Sequence, residues 1–269
     1  MGKKKVDHTG DRLVFDIEVS PAIYWLWKGG YGINVPTGNL VKEHAVICVS
    51  YQWEGEKEIH TIKWDSKQND KALLKAFIPI MQQAGTLIGH NSDNFDIKWL
   101  RTRALYHRLP MPPDFITIDT WKQAKKYFRF QGNGLKYIAR FLGLEGKIEP
   151  PSGLWQRVVF DKEKAAMTEM IEHCERDVDQ TMRVYEAFLP YTATVGHVGN
   201  NMTDCPHCGG SNTKWEKDRT TQKGGQHTQF RCHTPKKSGK GICGKYATVA
   251  SSKWYNETPI KKRKGTTKK

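Results

Sequence analysis

Near its N-terminus the chain reads Leu13-Val14-Phe15-Asp16-Ile17-Glu18-Val19, an apolar run that two acids interrupt. Alternate side chains of a β-strand point to the same face, so the carboxyl groups of Asp16 and Glu18 are expected to converge. Two like charges beside an apolar run are unfavourable unless a cation neutralises them, and a divalent metal ion does this well. A solvent-facing strand with alternating polar residues is the ordinary alternative, and the stretch by itself favours that alternative.

The composition is that of a folded protein with one large and one small domain. The chain has 269 residues, of which 38% are hydrophobic and 11% aromatic, so wholesale disorder is not expected. No run approaches the ~18 apolar residues of a membrane span, and the basic segment 1–10 lacks the apolar stretch of a signal peptide. We therefore expect a cytoplasmic protein with no membrane partner, in which cysteines are thiols or metal ligands rather than disulfides.

The net charge of +15 is concentrated in the C-terminal part of the chain. Residues 192–269 hold 16 lysines and arginines against four acids, whereas residues 1–191 are close to neutral. A basic segment on a near-neutral body is a common arrangement for binding a polyanion, and nucleic acid is the expected partner. A tail that only aids solubility is the alternative.

The pattern of apolar residues predicts three strands, followed by strands that alternate with helices. This order indicates a mixed α/β sheet covered by helices. Asn69 is the expected cap of the first helix. The predicted strands after the first are 44–53, 58–64, 86–91 and 114–119, and the predicted helices are 69–83, 95–107, 120–128, 135–142 and 162–189.

Further acids and a histidine occur where they could join the first pair. Asp96 falls in the first turn of a predicted helix, after the segment 89–91 at a strand end, and suits a helix cap and a functional site equally. His173 and Asp177 are four residues apart on a helix and so share a face, as many plain surface pairs do. In the chemical interpretation, Asp177 completes a metal site and His173 takes a proton from water.

Together these segments resemble the three motifs of the DEDD, or DnaQ-like, 3′–5′ exonucleases. The motifs are a strand with Asp-x-Glu at 16–18, Gly-His-Asn followed by Phe-Asp at 89–96, and a helical Cys-x-x-Asp-Val at 174–178. The resemblance covers residues 11–191 and is nearest to stand-alone exonucleases encoded by bacteriophages. In that group, segments like Ile118-Asp119-Thr120, Leu135–Ala139 and Leu154-Trp155 recur in this order.

The resemblance implies an RNase H-like fold in which Asp16, Glu18, Asp96 and Asp177 bind two Mg²⁺ or Mn²⁺ ions. One ion would activate the attacking water and the other would stabilise the leaving 3′ oxygen. The implied reaction releases nucleoside monophosphates from a free 3′ end, and we expect DNA as the substrate. A structure-specific endonuclease on the same fold and a non-catalytic nucleic-acid-binding protein are the competing functions.

His173 departs from the pattern of the family. The family divides by whether a tyrosine or a histidine assists the water, and the tyrosine lies four residues before the last aspartate, the histidine five. His173 is four residues before Asp177. It therefore either replaces the tyrosine, which we favour because an imidazole can reach the water from the same helical face, or is a bystander.

Residues around these motifs are candidates for supporting roles. Asp119 is interpreted as a helix cap and not as a metal ligand. His90 and Asn91 are expected to contact the substrate. Aromatic residues just past the first strand are favoured as core, with stacking on a terminal base, above all by Trp25, as the alternative. These residues are Tyr24, Trp25 and Trp27.

The C-terminal cysteines resemble a zinc ribbon over residues 203–250. Cys205 and Cys208 have the spacing of a zinc knuckle, with glycines behind the second thiol. Cys232 and Cys243 are ten residues apart where a tight knuckle has two, so we interpret the lysine-rich stretch between them as an insertion. Structural Zn²⁺ on these four cysteines is expected, with His207 and His233 as alternative ligands.

The ribbon is expected to bind the nucleic-acid backbone without reading sequence, together with the basic tail 251–269. Residues 192–202 are the expected linker to the catalytic domain 11–191. Docking of a partner protein is the main alternative for the ribbon.

Overall fold

The computed structural model describes residues 11–144, 152–192, 203–206, 208–220, 224–235, 241–252 and 254. Within these ranges the chain forms a five-stranded sheet covered by helices, a three-stranded sheet and a two-stranded hairpin. The mixed α/β architecture is therefore confirmed. The N-terminal segment 1–10 and most of the predicted linker and basic tail lie outside the described residues.

The main sheet is mixed, with one buried strand at its centre. In chain order the first seven strands are β1 (Arg12–Val19), β2 (Ile23–Tyr24), β3 (Leu40–Lys42), β4 (Val46–Trp53), β5 (His60–Lys63), β6 (Thr86–Gly89) and β7 (Thr117–Asp119). The sheet order is β5-β4-β1-β6-β7. β1 pairs antiparallel with β4 and parallel with β6, which explains why its sequence is almost continuously apolar.

Six α-helices accompany the sheet within the described ranges, and the longest of these crosses one of its faces. They are α1 (Lys71–Gln83), α2 (Asp96–Tyr106), α3 (Thr120–Tyr127), α4 (Leu135–Phe141), α5 (Leu154–Gln156) and α6 (Lys164–Phe188). The predicted helices are confirmed to within two residues at each end. Asp70 holds the N-cap position of α1 but makes no side-chain cap hydrogen bond, whereas Oδ1 of Asn69 accepts one from the backbone N of Lys71 at 2.9 Å.

Alternation along β1 sends its side chains into two different cores. Leu13, Phe15 and Ile17 pack with α1 and α2 on one face. Val14 packs with Val178, Met182 and Tyr185 of α6 on the other face. Asp16 and Glu18 share the face of Val14 because side chains repeat every two residues. The two acids therefore point towards α6.

Two short features were not predicted. β2 and β3 form a hairpin that pairs with no strand of the main sheet. α5 continues into a five-residue π-helical turn, Arg157–Asp161, before α6 begins. Wide turns of this kind are rare and occur often at functional sites.

A buried cluster of charged groups joins α1, α2 and β4. The carboxylate of Asp70 is fully buried and accepts hydrogen bonds from Nε of Arg103 at 2.7 Å and Nε2 of His107 at 2.6 Å. It also accepts one from the backbone N of Val46 at 2.9 Å. Burial alone would raise the pKa of Asp70, but these hydrogen bonds together lower it below its ordinary value.

We predict that Asp70→Ala destabilises the protein by about 3–5 kcal/mol, because it leaves the buried Arg103 guanidinium without its counter-ion. The free energy of unfolding, measured by urea denaturation, checks this value. Asp161→Ala is the control, since Asp161 is an exposed aspartate. A loss below about 1 kcal/mol, within the range of surface ion pairs, would contradict the prediction.

The C-terminal residues form the three-stranded antiparallel sheet. Its strands are β8 (Thr213–Thr220), β9 (Gln226–Cys232) and β10 (Tyr246–Ala250), with β9 in the centre. Phe230 stacks on Trp254 at 5.0 Å between ring centroids, and Val249 completes this small core. So few apolar side chains rarely stabilise a module of this size without a further cross-link.

Candidate metal centre

The first part of the site lies at the C-terminal end of β1. Glu18 is only 7% exposed, although it is charged in water at neutral pH. The pairing of β1 with β4 becomes irregular between Glu18 and Val19, immediately beside the two acids. Irregularities of this kind often re-aim side chains next to active sites.

Asp96 joins the pair from the neighbouring parallel strand. It is the first residue of α2, and the loop before α2 leaves the C-terminal end of β6. Since β1 and β6 are parallel, their C-terminal ends lie at the same edge of the sheet. Oδ1 of Asp96 accepts a hydrogen bond from the backbone N of Ile17 at 3.2 Å, between the two acids of β1.

Helix α6 contributes the remaining groups from above the sheet. Nε2 of His173 lies 3.6 Å from Oε1 of Glu18 and 4.0 Å from Oδ2 of Asp177. The thiol of Cys174 donates a hydrogen bond to the backbone oxygen of Asp16 at 3.4 Å and lies 3.6 Å from its Oδ2. One ligand atom from each of Glu18, His173 and Asp177 fits within 4.8 Å of the others.

The carboxyl groups oppose each other's ionisation. Burial raises the pKa of Glu18 to about 8, and the charges of Asp177 and Asp96 add to the shift. Burial also raises the pKa of Asp96 to about 7, although backbone hydrogen bonds oppose it. Desolvation and the surrounding acidic groups raise the pKa of Asp16 well above its ordinary range.

These properties fit a divalent cation. A cluster of desolvated carboxylates is unfavourable without positive charge, and each electrostatic neighbour that acts on Asp16 raises its pKa further. Hard cations such as Mg²⁺ and Mn²⁺ take oxygen ligands of this type. The residues present can therefore hold such ions.

The sequence profile of the RNase H superfamily matches residues 37–189, more than half of the chain. The chain belongs to the RNase H superfamily. Membership supports a nuclease with a nucleic-acid substrate, and nucleases of this superfamily generally use divalent metal ions. The matched range includes Asp96, His173 and Asp177 but begins after β1, so the two acids of β1 lie outside it.

Two individual proteins are similar to this RNase H superfamily member. An uncharacterized protein of Methanocaldococcus jannaschii is 26% identical over 166 residues, which cover 57% of this chain and 90% of that protein. The structure of the family B DNA polymerase from the hyperthermophilic archaeon Pyrobaculum calidifontis superposes with a TM-score of 0.50 and 16% identity. That match covers 67% of this chain but only 24% of the polymerase, so it supports the fold alone.

In this RNase H superfamily domain, Asp119 fixes the loop that leads to Asp96. Its carboxylate caps α3 by accepting from the backbone N of Trp121 at 3.0 Å, which confirms the predicted cap. The same carboxylate accepts from the backbone N of Asn91 at 2.9 Å and of Asp93 at 3.3 Å. This second role was not predicted from the sequence, because it depends on the pairing of β6 with β7.

The polar residues after β6 are largely engaged within the protein. Nδ1 of His90 lies 2.9 Å from Oγ1 of Thr120, and its Nε2 donates to the backbone oxygen of Asn133 at 2.9 Å. Asn91 has a left-handed backbone with φ of 61°. A Cβ at Gly89 would overlap the side chain of Ser92, so glycine is needed where this loop turns. Substrate contacts by His90 and Asn91 stay predictions.

The aromatic residues after β1 do not belong to the core. Trp27 is 91% exposed and Trp25 is 45% exposed, with their rings edge to face at 5.3 Å. The favoured interpretation as core is therefore wrong. The reason is that β2 pairs only with β3 and not with the main sheet, so Ile23 alone packs against the core from this segment.

Trp155 lies beside His173, a contact that the sequence did not indicate. The indole ring meets the imidazole edge to face, with 6.2 Å between ring centroids. Trp155 packs against the apolar core beneath the N-terminal half of α6. Its ring therefore limits the positions that the imidazole of His173 can take.

The four C-terminal cysteines converge as predicted. The Sγ atoms of Cys205 and Cys243 are 3.9 Å apart, and those of Cys208 and Cys232 are 3.6 Å apart. A tetrahedral ion with Zn–S bonds of ~2.3 Å requires sulfur separations of about 3.8 Å. The cluster is thus compatible with zinc. After the ten residues that separate Cys232 from Cys243, the chain comes back beside Cys232. Cys243 N donates to Thr234 O, and Cys232 N donates to Lys245 O.

Of the two histidines named as alternative zinc ligands, the structure describes one. His233 donates its backbone N to Asn212 and is absent from the sulfur cluster. His207 lies outside the described residues.

Among the helices that the described ranges form, none is both long and apolar enough to cross a membrane.

The raised carboxyl pKa values predict that the metal-free protein loses stability as the pH rises. Unfolded carboxyls lose their protons near pH 4, whereas Glu18 and Asp96 keep theirs in the folded state up to about 8 and about 7. The folded state therefore binds more protons across this window, and stability falls as pH increases through it. Added Mg²⁺ or Mn²⁺ should restore more stability at pH 8 than at pH 5.5.

The midpoint of thermal unfolding at pH 5.5 and pH 8.0, with and without metal, checks this prediction. Glu18→Gln is the matched variant, because it keeps the side-chain shape and removes the titration. The difference in pH dependence between the two proteins isolates the contribution of Glu18. The prediction would be contradicted if, between pH 5.5 and pH 8.0, the thermal midpoint of the wild-type protein fell no more than that of Glu18→Gln.

Proposed function

We propose that this protein is a metal-dependent 3′–5′ exonuclease that hydrolyses DNA from a free 3′ end and releases nucleoside monophosphates. The observation that carries the proposal is the convergence of Asp16, Glu18, Asp96 and Asp177 with His173 at one edge of the sheet. The order and type of these residues resemble the DEDD exonucleases, and superfamily membership supports nuclease chemistry.

Each residue has a definite part in the proposed reaction. The four acids would hold two Mg²⁺ or Mn²⁺ ions, which would polarise the scissile phosphate and lower the pKa of the attacking water. His173 accepts the proton of that water at Nε2, the nitrogen that faces Glu18 and Asp177. Cys174 holds the carboxyl of Asp16 in place from α6.

The exposed aromatic residues after β1 are proposed to hold the end of the strand. Trp25 directly follows β2, and its backbone N donates to the backbone oxygen of Asn39, the residue before β3. A partly exposed indole on an anchored backbone suits stacking on a terminal base, since every base offers an apolar face.

The test is a 5′-labelled single-stranded oligonucleotide incubated with Mg²⁺ or Mn²⁺. A ladder of products shortened from the 3′ end is expected, and it should be absent with Asp16→Ala. A 3′-labelled copy should release label as the mononucleotide at once. Equal activity in Asp16→Ala, or no products with either metal, would reject the proposal.

A circular single strand separates the exonuclease from an endonuclease on the same fold. A strict exonuclease leaves the circle intact, because the circle has no 3′ end. Linearisation of the circle by the wild-type protein, lost in Asp16→Ala, would favour the endonuclease. Metal-independent binding with no cleavage of any strand would favour a non-catalytic protein.

We further propose that the cysteine cluster binds one structural Zn²⁺ and that the resulting ribbon, with the basic tail, holds the substrate backbone. The module has a small core, so metal binding would supply much of its folding free energy. Deletion of residues 200–269 should weaken binding of DNA and reduce its dependence on salt. An unchanged salt dependence would show that this part does not contact phosphate.

We predict that Cys208→Ser lowers bound zinc from about one atom per chain to nearly none, because three thiolates seldom retain a structural ion. Metal analysis of the purified chain measures the zinc directly. His233→Ala is the control and should keep its zinc, since its ring is not part of the sulfur cluster. Equal zinc content in Cys208→Ser and wild type would contradict the assignment.

A further inference from the structure

A pocket lies at the N-terminal end of α6, and none of the four acids of the metal centre lines it. It is a pocket of about 470 Å³ between the end of β5, the π-helical turn and the first turns of α6. Trp64, Val158 and Met167 provide apolar parts of its wall. Met167 precedes His173 by six residues, which places it about 9 Å along the helix from the metal centre.

Lysines surround this pocket. Lys63, Lys162 and Lys164 line it, and within the described ranges no ion pair joins any of the three to an acid. Lys42 adds a fourth charge, with its Nζ 5.8 Å from the centroid of the Trp64 ring. Burial and the charge of Lys162 lower the pKa of Lys42, so an anion placed here would relieve a repulsion.

The acids at the pocket are already engaged by the protein. Oδ1 of Asp65 accepts hydrogen bonds from the backbone N of Lys67 and of Asn69, each at 2.9 Å. Oε2 of Glu163 accepts from Nε of Arg157 at 2.8 Å. With three lysines and two acids in its lining, the pocket keeps a net charge of +1, and neither acid is bonded to one of those lysines within the described ranges.

The pocket is built from unusual backbone that tertiary contacts hold in place. Gln68 and Lys162 have left-handed conformations, with φ of 60° and 53°, which non-glycine residues adopt at a cost. Nε2 of Gln68 donates to the backbone oxygens of Val158 at 3.3 Å and Val159 at 2.8 Å in the π-helical turn. Its Oε1 accepts from Nζ of Lys42, so one side chain ties the turn to the lysine.

We propose that this pocket binds one nucleotide unit, with the phosphate among the lysines and the base against the apolar wall. Lysines that form no ion pair within the described ranges, beside a wall of Trp64, Val158 and Met167, match the two parts of a nucleotide. The choice of ligand class rests on the proposed nuclease function. The unit belongs either to a nucleic-acid strand bound at the metal centre or to a free mononucleotide.

The test measures binding to the full-length chain without added divalent metal, so it does not depend on catalysis. The probes are deoxyadenosine 5′-monophosphate and a five-nucleotide deoxyoligonucleotide. The pocket variants are Lys162→Glu and Lys164→Glu, and Lys75→Glu, an exposed lysine of α1, is the control with the same change in net charge. We expect about a tenfold loss of oligonucleotide affinity in the pocket variants and a salt slope reduced by about one unit.

The experiment distinguishes a free mononucleotide from a unit of a bound strand, and either result supports a nucleotide site in this pocket. Loss of affinity for both probes assigns a free nucleotide as a ligand, and loss for the oligonucleotide alone assigns a unit of the bound strand. An equal loss in Lys75→Glu, or no loss in either pocket variant, overturns the proposal. Because these outcomes involve no cleavage, they are independent of whether the exonuclease assay succeeds.

Met167→Ala tests the contact with the base. It should weaken binding of the five-nucleotide probe but leave binding of an abasic strand of equal length unchanged, since only the base meets the apolar wall. Equal effects on the two strands would overturn the assignment of a nucleotide.

Discussion

Replacement of Asp96 by asparagine is expected to slow hydrolysis by at least ~10³-fold, because it removes one of the charges proposed to hold the metal ions, whose catalytic contribution would be several kcal/mol. The substitution is conservative in structure. The amide oxygen of asparagine can still accept the hydrogen bond from the backbone N of Ile17, which measures 3.2 Å to the native carboxylate. The loss should therefore appear in the rate and not in the folded content.

Initial rates of mononucleotide release at saturating Mn²⁺ measure the effect. Asp93→Asn is the matched control, since Asp93 lies in the same loop but forms an ion pair with Lys122 at 2.6 Å. Its activity should stay within about threefold of wild type, the range expected for a surface pair. A wild-type rate in Asp96→Asn would show that Asp96 does not hold the metal ions.

His173→Ala is expected to lower the rate by ~10²–10⁴-fold, the usual range for loss of a general base. The imidazole is positioned for this role, with Nε2 3.6 Å from Glu18 and the ring held against Trp155. Metal binding should change less than the rate, because the four carboxylates remain. A loss smaller than threefold would identify His173 as a bystander.

His173→Tyr distinguishes a positioned base from a residue that only fills space. The residue stands at the spacing of the tyrosine branch, so a phenol oxygen there should restore part of the activity that alanine loses. Glu172→Ala is the control, because Glu172 is adjacent in sequence but exposed on another side of the helix. Activity of His173→Tyr no higher than that of His173→Ala would contradict the replacement of a tyrosine by His173.

The two-residue period of β1 was sufficient to predict that Asp16 and Glu18 share a face. The four-residue spacing of His173 and Asp177 likewise predicted a shared helix face, and both expectations depend only on local geometry. The spacing of the cysteines also indicated their cluster, although the closure of Cys243 onto Cys232 requires the antiparallel return of the chain. Local periodicity and ligand spacing thus predicted which of these residues share a face, whereas the resemblance to the DEDD exonucleases implied that Asp96 and Asp177 join the acids of β1.

Features that depend on distant contacts were not predictable in this way. The exposure of Trp25 and Trp27 follows from the pairing of β2 with β3 alone. Asp70 lies at the start of the predicted helix 69–83, and nothing in the local sequence indicates that Arg103 and His107 hold it in the interior. In each case the outcome depends on which segment lies opposite, and that information is absent from the local sequence.

The sequence by itself determined the order of the elements, the face on which the two acids of β1 lie and the residue types that suit a divalent metal. Only the tertiary structure decided that Asp96 is bonded to the backbone between those acids, that Asp119 holds its loop, and that Trp155 adjoins His173. The physical reason is that the side-chain periods of strands and helices relate only residues a few positions apart in the chain. Parallel pairing of β1 with β6 and packing of α6 on the sheet join groups that are 79 and 158 residues apart.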